Sequence, residues 1–206
     1  MYTELNKFVV ADSQKCIGCR LCEVACSLAH TESTAQHPVA GQCCEPLFPR
    51  LYLVHTEGVT TPVQCRHCED APCAGSCPVA AIRRVDGALV VDEKLCVGCK
   101  TCMLACPFGA IELLPVYENG EPKMQLVAVE DGTEATGEEL SQVLVAGKCD
   151  LCFQHDGGPA CVTTCPEQAL QLVDAAALRK KRSAEAALNL SKYVQSLGAT
   201  QTGQTK

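Results

Sequence analysis

The chain has 206 residues and a formal net charge of -7, so it lacks the basic footprint that nucleic-acid phosphates require. Aromatic residues make up 4% and tryptophan is absent, which leaves few of the large side chains that dominate core burial, whereas 18 residues are cysteine. No apolar run is long enough for direct membrane insertion, and MYTELNKFVVADSQK at the start has no apolar stretch of secretory type. A reducing, cytoplasmic setting is therefore expected, where thiolates bind metal more often than they pair with one another.

In chain order, FVVAD reads as a strand leading to the first cysteine group, Cys16, Cys19, Cys22 and Cys26. An insertion at 31–62 carries Cys43 and Cys44, expected to be loop thiols without a role. The second group is Cys65, Cys68, Cys73 and Cys77, followed by Pro78. CPVAAIRRVDGALVVDEKLC then reads as last ligand, short helix, strand, Asp86-Gly87 turn, strand and next ligand. That ligand opens the third group, Cys96, Cys99, Cys102 and Cys106, followed by Pro107. The insertion at 115–144 lies in an acidic region, since 112–139 holds eight acids and one lysine, and it is expected to be mobile. The fourth group is Cys149, Cys152, Cys161 and Cys165, followed by Pro166, and CPEQALQLV supplies a helix and an exit strand. Residues 174–206 are expected to form a basic helix ending near Gly198 and a flexible tail.

Four groups of four cysteines, each ending in C-x3-C, form an internal repeat. The spacing C-x2-C-x2-C-x3-C-P is the bacterial ferredoxin run, in which a tight loop turns three sulfurs onto one cubane and the fourth cysteine ligates the neighbouring one. By that crossing rule Cys65, Cys68, Cys73 and Cys106 form one set, and Cys96, Cys99, Cys102 and Cys77 a second. Cys16, Cys19, Cys22 and Cys165 form a third set, and Cys149, Cys152, Cys161 and Cys26 a fourth. The cofactors implied are four 4Fe-4S clusters. Zinc needs two C-x2-C pairs and gains nothing from three cysteines in seven residues. Cys26 is followed by Ser27 where the other groups have proline, which makes its local frame the least standard.

Gly18 and Gly98 stand between the first two ligands of their groups, where a positive φ or a close approach excludes a Cβ. Arg20 and Lys100, beside second ligands, either raise a local potential or are solvated. His67 and His155 lie within cysteine groups and are expected to pack or face solvent rather than bond a sulfide. No radical C-x3-C-x2-C signature, dinucleotide loop or phosphate-binding loop is present, and no group lacks a thiolate, so catalysis by the chain itself is not expected and no residue is assigned as catalytic.

FVVADSQKCIGCRLCEVACSLAH, CRHCEDAPCAGSCPVAAI, LCVGCKTCMLACPFGAIEL and KCDLCFQHDGGPACVTTCPEQAL resemble the four-cluster, ferredoxin-like iron-sulfur subunits of molybdenum or tungsten oxidoreductases and hydrogenases. The likeness is to the soluble formate hydrogenlyase type, which includes subunits of hydrogen-dependent carbon dioxide reductase and the hydrogenase-4 component. The resemblance implies an α+β fold of two bacterial ferredoxin-like modules of two clusters each. Module A would combine 8–30 with 145–173, and module B would span 63–114. It implies electron transfer between a molybdenum or tungsten formate dehydrogenase-like catalytic subunit and a hydrogenase or another iron-sulfur subunit. A freestanding polyferredoxin serving several oxidoreductases is the alternative.

Overall fold

The computed structural model describes residues 5–31, 46–118, 120–130 and 135–201. Every cysteine group sits between a strand that enters it and a strand that leaves it. For the first these are β1 (Lys7–Ala11) and, after helix α1 (Leu21–His30), β2 (Leu51–His55). The second has β3 (Thr60–Gln64), α2 (Pro72–Gly75) and β4 (Ile82–Val85); the third has β5 (Ala88–Val91), α3 (Thr101–Ala105) and β6 (Glu112–Pro115). The strands β7 (Tyr117–Glu118), β8 (Glu121–Pro122), β9 (Met124–Glu130) and β10 (Ala135–Gln142) follow. The fourth group lies between β11 (Leu144–Gly147) and β12 (Leu170–Asp174), with α4 (Ala160–Thr164) inside it, and α5 (Ala175–Gln201) comes last.

The described strands pair only two by two, always antiparallel. The strand leaving one group pairs with the strand entering the next: β2 with β3, β4 with β5 and β6 with β11. The last strand returns to the first, with Lys7 opposite Asp174 and Ala11 opposite Leu170. The succession is therefore cyclic. In space, α1 packs on α4 and α2 on α3, so the first group meets the fourth and the second meets the third. A two-stranded pair is marginal in water, so these ribbons depend on what they cover. They cover small aliphatic side chains and the cysteines themselves: Val9, Leu51, Ala88, Ala110 and Leu170 share one core with Cys22, Cys26, Cys65, Cys149 and Cys161.

Asp86 and Gly87 form the expected turn, both at positive φ (48° and 84°), as a two-residue hairpin turn requires. The short helix expected after Cys77 and Cys165 is instead a turn, as is the segment after Cys106, and the helix precedes each of these cysteines. Proline is the cause, because it disfavours the helical conformation in the residue before it. Cys106 and Cys165 are accordingly extended, with ψ of 113° and 114°, and α3 and α4 stop there. The chain then closes a turn in which the third residue onward donates its N–H to the cysteine carbonyl, as Ala80 does to Cys77 and Gln168 to Cys165. Cys26 has no proline after it, and α1 runs on to His30.

The 115–144 insertion differs from expectation. MQLVAVE is rich in strand-favouring residues, and β9 pairs with β10 from Met124 opposite Gln142 to Ala135 opposite Glu130. The N–H of Val116 bonded to the Val143 carbonyl (3.0 Å) continues the β6–β11 ribbon outward into this hairpin. Leu126 and Leu140 face each other across it and stay exposed. The 31–62 insertion contributes β2 and the first half of β3, and Cys43 and Cys44 lie outside the described residues. Helix α5 continues through Gly198, against expectation, with Leu188, Leu190, Tyr193 and Val194 exposed. Among the described residues, no helix is long and apolar enough to cross a membrane.

Candidate metal centres

Cys16, Cys19, Cys22 and Cys165 line one recess, walled by Ile17, Leu53 and Leu170. Cys77, Cys96, Cys99 and Cys102 line a second, walled by Val79, Ile82, Val91 and Leu113. In both, three cysteines come from one group and the fourth from another. The remaining eight lie close enough to act on one another's charge, and Cys161 also feels Cys22 of the first recess. Burial pushes the Cys73 thiol up to about 11, helped by negative charge on Cys65 and Cys106, and the same two neighbours act on Cys68 after burial. Burial pushes Cys161 up to about 12, helped by Cys26 and Cys152, and Cys149 is raised by burial with Cys161 and Cys26 adding to it. Cys22 also rises, to about 11, chiefly through burial. Cys99 is exposed, and Thr101 holds its thiol below the usual range.

Buried thiols crowded by like charge do not ionise without a cation to replace the proton, and iron is such a cation. The backbone is arranged to receive the resulting negative sulfur. Ala81 donates its N–H to Cys77 Sγ and Ala169 to Cys165 Sγ, both at 3.3 Å, from the residue that follows each Cys-Pro turn. Ala146 on β11 donates to Cys96 Sγ (3.3 Å) and His67 to Cys65 Sγ (3.4 Å). For Cys26, whose helix does not stop, the donor comes from Arg50 (3.2 Å). Donors aimed at ligand sulfur are one of the means by which a protein tunes an iron-sulfur centre. The cysteines and the backbone N–H groups aimed at their sulfurs thus fit 4Fe-4S clusters.

A family model described as "4Fe-4S dicluster domain" matches residues 56–119, and a second with the same description matches 88–166. Electron transport protein HydN of Escherichia coli (strain K12) is 42% identical over 172 residues, which cover 82% of this chain and 89% of the relative. Formate hydrogenlyase subunit 2 of the same strain is 44% identical over 179 residues, covering 82% and 83%. Putative electron transport protein YsaA, also of that strain, is 40% identical over 183 residues, covering 86% and 96%. The chain belongs to this family of 4Fe-4S electron-transport proteins.

Within this iron-sulfur protein, Gly18 and Gly98 have φ of 72° and 66°. A Cβ on Gly98 would meet the Leu144 carbonyl oxygen at 2.6 Å, so the close approach is to β11. Arg20 and Lys100 are exposed and share a left-handed backbone at the start of α1 and α3. His155 is exposed and donates through Nε2 to the Ala29 carbonyl (2.6 Å). His67 is fully buried, and its Nδ1 accepts from the Leu89 N–H (2.8 Å). Burial, then Lys148, lowers its pKa to about 3, so the ring is neutral. Its Nε2 therefore carries the proton, and that buried donor has no partner among the described residues.

Sequence reasoning missed a charged network around Cys26. His30 Nδ1 donates to the Cys26 carbonyl (2.7 Å) and Nε2 to Asp150 (2.9 Å). With acceptors on both nitrogens the ring is an imidazolium, and although burial opposes this, Asp150 and Cys26 raise its pKa to about 9. Arg50 Nη1 also reaches Asp150 (2.9 Å), and Cys152 donates its N–H to the same carboxylate (2.9 Å). Burial would raise Asp150, but these partners hold it at about 2. His30, with a raised pKa, contributes stability present in full below about 6.5 and lost as pH rises through about 9. Asp150, with a depressed pKa, contributes stability present above about 3.8 and lost as pH falls through about 2. Asp150→Ala is expected to lower anaerobic unfolding stability by about 3 kcal/mol and to flatten the decline between pH 6.5 and 9. Urea midpoints of the holoprotein across that range check both expectations.

Proposed function

We propose that the chain is an electron-transfer subunit holding four 4Fe-4S clusters and relaying single electrons between a molybdenum or tungsten formate dehydrogenase-type catalytic subunit and a hydrogenase or another iron-sulfur subunit. The observation that carries this reading is that two recesses each gather three cysteines of one group with one of another, with backbone N–H groups directed at Sγ of Cys26, Cys65, Cys77, Cys96 and Cys165. The clusters supply one-electron storage with little change of geometry. The packing of α1 on α4 and of α2 on α3 supports module A as 8–30 with 145–173 and module B as 63–114.

Cys19 and Cys99 are the exposed cysteines among the sixteen, and each is flanked by an exposed apolar residue, Ile17 and Val97. Partners would dock over these two points, because exposed apolar side chains beside a redox site exclude water on contact. The name of formate hydrogenlyase subunit 2 supports a place in a formate-linked complex. The names of HydN and YsaA give electron transport alone, which is equally compatible with the second reading, a freestanding polyferredoxin. Sixteen thiolates reach iron before pairing with each other in a reducing compartment, which points to the cytoplasm.

Anaerobic affinity purification from the source cell tests the assignment. Copurification of a molybdenum- or tungsten-containing subunit, with formate reducing the chain's clusters, is expected. A chain that elutes alone and reduces unrelated acceptors equally well would favour the freestanding carrier. Helix α5 touches β12 and leaves its described side chains at 176–197 exposed, so removing 175–206 is expected to keep the iron content unchanged while weakening any partner contact that the helix makes. Iron analysis and the same purification read the two effects separately.

A further inference from the structure

Lys148 lies between β11 and Cys149, and its side chain is among the most deeply buried in the protein, at 2% exposure. Its Nζ donates to two main-chain carbonyls, those of Leu89 and of Cys149. No carboxylate pairs with it among the described residues; the nearby Asp150 is taken by His30 and Arg50. The N–H of the same Leu89 is held by His67, which sits between Cys65 and Cys68. Leu89 is thus gripped on one edge of β5 by the loop that carries Cys65 and Cys68 and by the residue that precedes Cys149. Lys148 therefore stands where two cysteine sets meet.

A buried ammonium without a counterion costs several kcal/mol, and carbonyl dipoles offset only part of that cost. The missing negative charge is available on both sides. A cubane held by four thiolates is net negative, and it becomes more so on reduction. We propose that Lys148 is a fixed counter-charge shared by the site of Cys65, Cys68, Cys73 and Cys106 and the site of Cys26, Cys149, Cys152 and Cys161, and that it raises the reduction potential of both. An opposite charge favours the more highly charged form of a group, here the reduced one. It is placed beside both sets: Nζ bonds the carbonyl of the ligand Cys149, and through Leu89 it adjoins His67, whose N–H is directed at Cys65 Sγ (3.4 Å). The other two sites have their own local surroundings, in the recesses walled by Leu53 and Leu170 and by Val91 and Leu113.

The inference rests on the four-cluster reading, and its test separates the two. Anaerobic holoprotein is assayed for iron, then titrated potentiometrically with paramagnetic resonance, for the wild type, Lys148→Gln, Lys148→Met and Lys148→Arg. Wild-type iron far below about sixteen per chain removes the four-cluster reading before any potential is compared. With iron intact, Lys148→Gln, which keeps a donor for the carbonyls but loses the charge, is expected to lower two of the four potentials. The expected shift is at least tenfold in reduced-to-oxidised ratio at fixed potential, about 59 mV for one electron. Lys148→Arg is expected to keep all four near their wild-type values. Unchanged potentials in a fully loaded Lys148→Gln protein overturn the proposal, because carbonyl capping alone would then explain the residue. If both neutral variants lose two clusters while Lys148→Arg keeps four, the counter-charge is supported; equal loss in all three assigns Lys148 to packing and overturns it.

Discussion

Removing iron with a chelator under anaerobic, reducing conditions is expected to abolish most of the native circular dichroism. The reason is the composition of the core. Aromatic residues make up 4% of the chain, and the described strands form only isolated antiparallel pairs. Five of the side chains in the main buried cluster are the thiols Cys22, Cys26, Cys65, Cys149 and Cys161. Domains of this size are stable by only about 5–15 kcal/mol, a margin that metal crosslinks between distant segments can supply entirely. The β1–β12 ribbon and the α1–α4 contact, which join the two ends of the fold, depend most on them. A near-native spectrum after complete iron loss would show that the aliphatic core suffices.

Replacing Cys106 with serine is expected to remove the cluster of Cys65, Cys68 and Cys73, not that of its own sequence group. The observation behind this is that Cys77 lines the recess of Cys96, Cys99 and Cys102, whereas Cys106 acts on Cys68 and Cys73. Paired substitutions make the expectation sharp. Cys106→Ser with Cys65→Ser strikes one site twice and should leave about twelve irons per chain, whereas Cys106→Ser with Cys96→Ser strikes two sites and should leave about eight. The opposite order of iron contents would mean that each group binds its own cluster. The same logic couples Cys165 to Cys16 rather than to Cys161.

What could be read from the sequence was local and repeated. Cysteine spacing, the Asp86-Gly87 turn and the strands beside FVVAD and QLV follow from a few adjacent residues, and the structure contains those elements. The Cys-Pro turns resemble helix starts in sequence, because a proline suits the first helical turn but also forces the residue before it out of the helix. The 115–144 hairpin was hidden by its charge, which masked the alternating Met124, Leu126 and Leu140. Relationships between distant residues were not legible at all. His30 and Asp150 are 120 residues apart, Arg50 and Asp150 are 100 apart, and nothing in KCDLC marks Lys148 as buried. Solvation of lysine is the usual expectation, and only the fold shows it enclosed.

The measurement that bears most directly on this account is a count of iron and acid-labile sulfide per chain in anaerobically purified protein, with paramagnetic resonance of the reduced sample. About sixteen of each, with signals from reduced 4Fe-4S centres, is the predicted result. Zinc in place of iron, or iron near eight or below in fully reconstituted protein, would contradict it.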